Sequence, residues 1–131
     1  ADAARKPTIL RTHREKGGLV FHHVVCDSPA YLSLSVFSRA VLVEIVRQFN
    51  GYNNGSIAIS QWQLGARLGS FNWGRIGRAI GQLVEHGLIE VVIEGTLRPR
   101  LAREYRLTFV STTDSIGRYI PASNQYLSWT R

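Results

Sequence analysis

One stretch of this chain organises the rest: residues 56–109 read SIAISQWQLGARLGSFNWGRIGRAIGQLVEHGLIEVVIEGTLRPRLAREYRLTF. Its first five positions alternate between polar and apolar residues, which is the pattern of a short, half-buried strand. Ser60 and Gln63 then form a capping box, because each side chain can bond the backbone amide of the other. The sequence therefore predicts a helix over Gln61–Leu68, which Gly69 ends.

A second helix follows after a short turn. Asn72 is a favourable N-cap, since its side-chain oxygen can accept a hydrogen bond from the first free amides of the helix. Apolar residues then form one stripe at the helical period, namely Ile76, Ala79, Ile80, Leu83 and Val84. The pattern predicts a helix that runs to His86 and ends before Gly87.

A basic loop and two strand-like segments complete the stretch. Leu88–Glu94 is rich in β-branched residues, and Glu104–Phe109 alternates polar with apolar residues. We expect these two segments to pair as an antiparallel hairpin. The loop between them, residues 95–102, is rich in arginine and is stiffened by Pro99.

This order of elements resembles a winged helix-turn-helix. The run 64–69 (LGARLG) followed by 78–89 (RAIGQLVEHGLI) is similar to the signature of bacterial DNA-binding domains of that class. The segments 28–31 (SPAY), 38–42 (SRAVL) and 49–55 (FNGYNNG) extend the resemblance to small bacterial winged-helix proteins of phages, plasmids and mobile elements, which are related to replication initiators and regulators. The resemblance implies an α+β, mainly α fold with a three-helix core, a small antiparallel β-sheet and a β-hairpin wing.

Three further elements precede this stretch. Leu19–Val25 is rich in apolar and β-branched residues and indicates a buried or edge strand. Ser28, with Pro29 at the first helical position, predicts one capped helical turn. A longer helix, capped by Ser35, is predicted over Val36–Phe49. Apolar residues nearly surround it, so we expect it to be the central support of the fold.

The two ends of the chain differ in character. Residues 1–18 are polar and basic, and we interpret them either as a flexible arm that contacts DNA or as a solvated terminus. The basic residues of this arm are Arg5, Lys6, Arg11, Arg14 and Lys16. Residues 19–110 make up the expected winged-helix domain. Residues 111–131 begin with a loop over 111–115 and retain many large apolar groups, so we expect them to pack back on the domain.

The charge of the chain points to a class of partner. Its 131 residues include 16 Lys and Arg against 9 Asp and Glu, which gives a net charge of +7 and favours a polyanion. No apolar run approaches the length of a membrane span, no signal peptide is evident, and the single Cys26 excludes an internal disulfide. We therefore expect a cytoplasmic, nucleoid-associated bacterial protein. The spacing of His22, His23 and Cys26 resembles part of a metal-ligand motif, but it does not recur elsewhere in the sequence. Neither a metal nor another cofactor is therefore predicted.

The second helix is expected to place its outer face in the major groove of double-stranded DNA. Arg78 lies opposite the apolar stripe on a helical projection, with Arg75 and Gln82 to one side. Arg can bond O6 and N7 of guanine together, and Gln can do the same with adenine, so these three are the predicted base contacts. Asn72 and Trp73 lie at the helix start, where free amides favour phosphate. The alternative is a solvated helix face.

Other side chains add to this predicted interface. The wing contacts are expected at Arg98, Arg100 and Arg103, whose charges suit a sugar–phosphate backbone or a narrow minor groove. A solvated hairpin tip is the alternative. The helix also contains three glycines that allow the close approach of either DNA or another helix: Gly74, Gly77 and Gly81. Trp62 can stack on exposed bases, but a role as a core or helix-packing anchor is the preferred interpretation.

Together these features predict a sequence-specific double-stranded DNA-binding protein that regulates transcription or initiates replication on a mobile element. The alternative is a protein–protein adaptor whose winged helix and apolar C-terminal segment dock a partner of the replication or transcription machinery. A third option is RNA or single-stranded DNA, with Trp73 as a stacking platform. Carboxylates are few and scattered, so neither an enzymatic activity nor a small-molecule substrate is predicted. A homodimer is left open, and no membrane partner is expected.

Overall fold

The computed structural model describes residues 18–94, 96–97, 100–113 and 116–131. Within them the chain is α+β, with short helices and small antiparallel sheets. The helices are α1 (His23–Cys26), α2 (Pro29–Leu32), α3 (Val36–Arg47), α4 (Gln61–Leu68), α5 (Trp73–Glu85) and a 3-10 helix (Gln125–Ser128). The strands are β1 (Ile57–Ile59), β2 (Ile89–Ile93), β3 (Thr96–Leu97), β4 (Arg100–Leu101), β5 (Arg103–Leu107), β6 (Thr112–Thr113) and β7 (Tyr119–Ile120).

The predicted caps form, and they fix where the middle helices begin. The capping box of α4 is complete, since Ser60 Oγ accepts from the amide of Gln63 at 3.1 Å and Gln63 Oε1 accepts from the amide of Ser60 at 2.8 Å. Asn72 Oδ1 accepts from the amide of Arg75 at 3.1 Å and caps α5. Gly69, beyond α4, adopts the left-handed conformation at φ +69°. The prediction for Gln61–Leu68 is confirmed residue for residue.

Helix α3 supports both α4 and α5. Ser35 caps it as predicted, with Oγ accepting from the amide of Ser38 at 3.1 Å. The helix ends at Arg47, two residues earlier than predicted. One side of α3 enters the core through Val41, Leu42, Ile45 and Val46. Val36 and Val43 are exposed, so α3 is buried on one side rather than nearly all round.

A three-stranded sheet with the order β1-β5-β2 closes the core. Both pairs are antiparallel, and β5 lies in the centre, where Tyr105 faces Ile57 on one side and Val91 on the other. The predicted hairpin between the two strand-like segments is confirmed. Where an open loop was predicted, β3 and β4 pair through Leu97 and Arg100 and extend the hairpin towards its tip. Inward-facing residues of the sheet complete the core: Ile57, Ile59, Ile89, Tyr105 and Leu107.

The segment before Ser28 is not a strand, and the prediction for Leu19–Val25 is wrong. The chain forms the short helix α1 instead, in which Val25 is buried. Ser28 Oγ donates to the carbonyl of Val25 at 2.6 Å, and the amide of Asp27 donates to the carbonyl of His23 at 2.8 Å. These local bonds satisfy two carbonyls of α1 without a hydrogen-bond partner from a neighbouring strand.

The C-terminal residues lie against the rest of the fold. Tyr126 is buried, and its ring meets Phe109 edge to face at 6.3 Å. Trp129 stacks on His86 at 4.1 Å, and His86 is itself buried with Nδ1 at 2.8 Å from the carbonyl of Ala30. Residues 111–115 were predicted as a loop, but β6 pairs with β7 there and forms a second small hairpin.

Within the described residues no helix has the length and apolar character needed to cross a bilayer. The predicted arm residues Arg5, Lys6, Arg11, Arg14 and Lys16 lie outside the residues that the structure describes, as do Gly95, Arg98 and Pro99.

Candidate nucleic-acid interface

The solvent-facing side of α5 is the first component of the candidate site. Ile76, Ala79, Ile80 and Leu83 anchor the opposite side of the helix in the core, as the stripe predicts. Val84, the fifth member of the predicted stripe, is partly exposed. The side that faces solvent therefore carries Gly74, Arg78, Gly81 and Glu85.

Two of the three predicted base-contacting residues are exposed arginines. The guanidinium of Arg75 lies over the ring of Phe37, 4.0 Å from its centroid, so a cation–π contact holds it against the first turn of α3. Arg78 Nη1 lies 3.3 Å from the position that a Cβ would occupy at Gly74, so its side chain runs back along α5 over the glycine. Both side chains are held close to the protein and remain exposed to solvent.

Gln82 has a structural contact that sequence reasoning missed. Its Oε1 accepts a hydrogen bond at 3.1 Å from the amide of Ser35, the N-cap of α3. The bond ties the start of α3 to the last turns of α5 and satisfies one amide of a helix start. Because Oε1 already accepts from Ser35, a contact with adenine through both amide atoms competes with this bond. A contact between residues 47 positions apart has no sequence signal.

The three predicted residues nevertheless meet in one place. Arg75, Arg78 and Gln82 line a depression of about 400 Å³ between the start of α3 and the side of α5. Ser35, Val36, Phe37 and Ala79 form the rest of its wall. We call this depression the α3–α5 groove. The α5 wall bears two guanidinium groups, so the groove is a positively charged concave surface.

The start of α5 presents aromatic rings. Trp73 is 41% exposed and lies 5.5 Å from Phe71, which is 49% exposed, and 6.2 Å from Trp62, which is 66% exposed. Trp62 and Phe71 are closer still, at 4.9 Å between ring centroids. We call these three residues the aromatic corner. Trp62 packs against another ring, as expected for a packing anchor, but it lies on the surface rather than in the core.

The described part of the predicted wing is less basic than its sequence suggests. Arg103 Nε lies 3.1 Å from a carboxylate oxygen of Glu94, so an ion pair offsets one of the predicted positive charges. Arg103 also lies beside the phenol of Tyr105. Burial raises the pKa of that phenol, and the neighbouring guanidinium opposes the shift. Arg100 belongs to β4, where its backbone pairs with Leu97.

The histidines and the cysteine considered as metal ligands lie in and beside α1. His23 and Cys26 belong to α1, and His22 precedes it as the N-cap. The part of the chain that the structure describes contains no group of three His, Cys, Asp or Glu side chains arranged to hold a metal ion.

Two of the three glycines of α5 face open space. A Cβ placed at Gly77 or Gly81 meets no atom within 4 Å, so the described residues place no other helix against this surface. Of the two explanations considered for these glycines, close packing on another helix therefore does not apply to this pair among the described residues. Gly65 in α4 is different, because a Cβ there would lie 2.7 Å from Phe71 Cδ1 and 2.9 Å from the carbonyl oxygen of Ser70.

This contrast gives a stability prediction. Gly77→Ala is expected to raise the free energy of unfolding by about 0.5–1 kcal/mol, because alanine loses less backbone entropy in a helix and its methyl group is accommodated. Gly65→Ala, the same chemical change in the neighbouring helix, is expected to lower it by about 1–3 kcal/mol through overpacking. Urea unfolding followed by circular dichroism measures both. A loss of stability in Gly77→Ala would contradict the open environment assigned to that residue.

Comparison with known proteins gave no significant match to a family model, a curated protein or a solved structure.

Proposed function

We propose that this chain is a winged helix-turn-helix protein that binds double-stranded DNA and regulates transcription or replication initiation. In this proposal α4 and α5 are the helix-turn-helix, α3 is its supporting helix, and the hairpin of β2 and β5 is the wing. The order of these elements and the motifs quoted above support the assignment, because in such folds one helix presents its outer face to a groove while the others hold it.

One observation carries the proposal: two exposed arginines line the α3–α5 groove on a helix whose opposite side is fixed in the core. Arg75 is positioned by Phe37 and Arg78 by the absence of a side chain at Gly74. A positively charged concave surface beside an anchored helix suits the phosphates that flank a major groove. The net charge of +7 adds long-range attraction to the same partner.

The dimensions of α5 agree with this use. Its 13 residues span roughly 20 Å, and a major groove about 12 Å wide admits a single helix. Gly77 and Gly81 have open space at the position of a Cβ, which permits close approach of the helix backbone there. Gln82 then acts mainly through its bond to Ser35, which holds α3 and α5 together beneath the arginines.

The proposal is tested by fluorescence anisotropy with a random duplex of about 25 base pairs, which exceeds two helical turns. Wild-type protein is expected to bind at about 50 mM salt and much more weakly at about 200 mM, because phosphate contacts release counterions. The double variant Arg75→Ala/Arg78→Ala is expected to lose about tenfold or more in affinity. If the two arginines bind phosphates, the slope of log affinity against log salt becomes shallower by about 0.9 for each phosphate that the variant no longer neutralises.

A charge-matched control separates local contacts from net charge. Arg47→Ala/Arg131→Ala also removes two positive charges, so it lowers the net charge by the same amount. Arg47 lies at the far end of α3 from Phe37, and Arg131 Nε donates to Ser33 Oγ at 3.1 Å, outside the α3–α5 groove. This control is expected to retain most of the affinity, since long-range attraction is a smaller contribution than direct contact. Folded wild-type protein that does not bind the duplex at about 50 mM salt would overturn the proposal and favour the adaptor.

A further inference from the structure

The aromatic corner exposes three large aromatic rings that lie against one another. Trp62, Phe71 and Trp73 are 66%, 49% and 41% exposed, although each ring touches the other two at centroid distances of 4.9 to 6.2 Å. Large apolar side chains scattered singly on a surface are ordinary, whereas a contiguous group of aromatic rings marks a binding surface. The exposed rings are therefore available to a partner.

The fold holds this corner in place from beneath. Phe71 packs directly on the backbone of α4, since only a glycine at position 65 leaves room for its ring. Trp62 rests on Phe71 at an interplanar angle of 35°, and Trp73 meets Phe71 edge to face at 77°. Because the rings face different directions, a flat partner can stack on one ring and touch the edge of another.

The surroundings of the corner favour an anionic partner. Trp62 is in the first turn of α4, and Trp73 is in the first turn of α5. Those turns read Gln61-Trp62-Gln63 and Trp73-Gly74-Arg75, so neither carries an acidic residue. The positive end of each helix dipole therefore lies at the turn that carries one of the two tryptophans. An apolar protein surface gains little from this field, whereas a nucleotide offers both a ring to stack and a phosphate to attract.

We propose that the aromatic corner stacks unpaired bases of a DNA strand that adjoins the duplex held by α5. This proposal rests on the proposed function and extends it to a second binding activity. In an intact duplex the faces of the bases are already stacked on one another and only their edges are open to the grooves. An exposed ring face is therefore used only where a base is unpaired, as in a gap, a melted segment or a single-stranded end.

The first arm of the test compares two DNA molecules by anisotropy. One is an intact duplex of about 25 base pairs, and the other is the same duplex with a gap of about five nucleotides in one strand. Wild-type protein is expected to bind the gapped molecule about tenfold or more tightly than the intact one. Trp62→Ala is expected to abolish that preference and to leave affinity for the intact duplex unchanged. Tyr52→Ala, which removes an exposed aromatic ring outside the corner, is expected to retain the preference.

The second arm uses tryptophan emission. Trp129→Phe keeps an aromatic ring beside His86 and leaves Trp62 and Trp73 as the only tryptophans. Addition of an oligothymidylate of about 15 nucleotides is expected to quench their emission by stacking. Circular dichroism of each variant confirms folding, which surface positions such as Trp62 are expected to tolerate.

The outcomes separate the two proposals. Binding of the intact duplex with equal affinity for the gapped one, and no quenching, would overturn this inference and leave the proposed function standing. Failure to bind either DNA would show that the proposed function itself is wrong. A Trp62→Ala variant that sediments as a smaller species than wild type, with no change in DNA preference, would assign the corner to contact with a second copy of the chain and also overturn the inference.

Discussion

Replacing Asn54 by alanine is expected to lower the free energy of unfolding by about 4 kcal/mol. Asn54 is 8% exposed, and its side chain makes three hydrogen bonds to the backbone. Nδ2 donates to the carbonyls of Leu107 at 3.0 Å and Val110 at 2.9 Å, and Oδ1 accepts from the amide of Leu107 at 2.7 Å. Alanine leaves these buried groups without partners, and each then costs its full desolvation.

The neighbouring Asn53 is the matched control. Its side chain also makes two backbone bonds, to the carbonyl of Gln48 at 2.9 Å and from the amide of Asn50 at 2.9 Å, but it is only half-buried. Water can replace those bonds, so Asn53→Ala is expected to cost about 1 kcal/mol. Urea unfolding followed by circular dichroism measures both variants. Equal losses for the two alanine variants would contradict the structural role assigned to Asn54.

Gly87→Ala is expected to lower the free energy of unfolding by about 3 kcal/mol, for two reasons that add. Gly87 has a φ of +78°, a left-handed conformation in which alanine is strained. A Cβ at this position would also lie 3.0 Å from the backbone carbonyl carbon of Gln125 and 3.0 Å from the amide nitrogen of Tyr126. Backbone atoms cannot rotate away as a side chain does, so the 3-10 helix has to move.

Gly69→Ala is the control that separates the backbone strain from the steric contact at Gly87. It has a similar φ of +69° at the end of α4, but nothing lies within 4 Å of the position of its Cβ. Gly69→Ala is therefore expected to cost only the conformational strain, about 1–2 kcal/mol. Thermal and urea unfolding of both variants give the difference, which reports the contact between Gly87 and the C-terminal segment. If the two variants lose the same stability, that contact contributes nothing.

Structural features that depend on residues close together in the chain could be predicted from the sequence. The capping box of Ser60 and Gln63 and the caps at Ser35 and Asn72 are all bonds within three positions, so residue type and spacing suffice to predict them. The apolar stripe of α5 follows from the helical period for the same reason. The paired hairpin of β2 and β5 was likewise predictable, because each segment alternates or is β-branched and a loop joins them.

Predictions from local secondary-structure propensity were wrong where contacts with other parts of the chain determined the structure. The apolar, β-branched segment 19–25 suits a strand, but it pairs with no strand of the three described sheets. Carbonyls of α1 accept hydrogen bonds from Asp27 and Ser28 instead. Residues 112–113 look like loop in isolation, yet they pair with Tyr119 and Ile120. β-Structure depends on a partner that lies elsewhere in the chain, so a single segment does not define it.

In the candidate site, too, some features follow from the sequence and others from the packing of the helices and strands. The sequence alone determined which side of α5 is anchored in the core and that Arg78 faces outward, because the helical period sets both. Only the tertiary structure decided that the guanidinium of Arg75 lies over Phe37, that Gln82 accepts a hydrogen bond from the amide of Ser35, and that Arg103 forms an ion pair with Glu94. It also decided that Trp62, Phe71 and Trp73 meet at the surface. The physical reason is that such contacts depend on how helices and strands pack together, and that packing cannot be predicted from the spacing of residues along the chain.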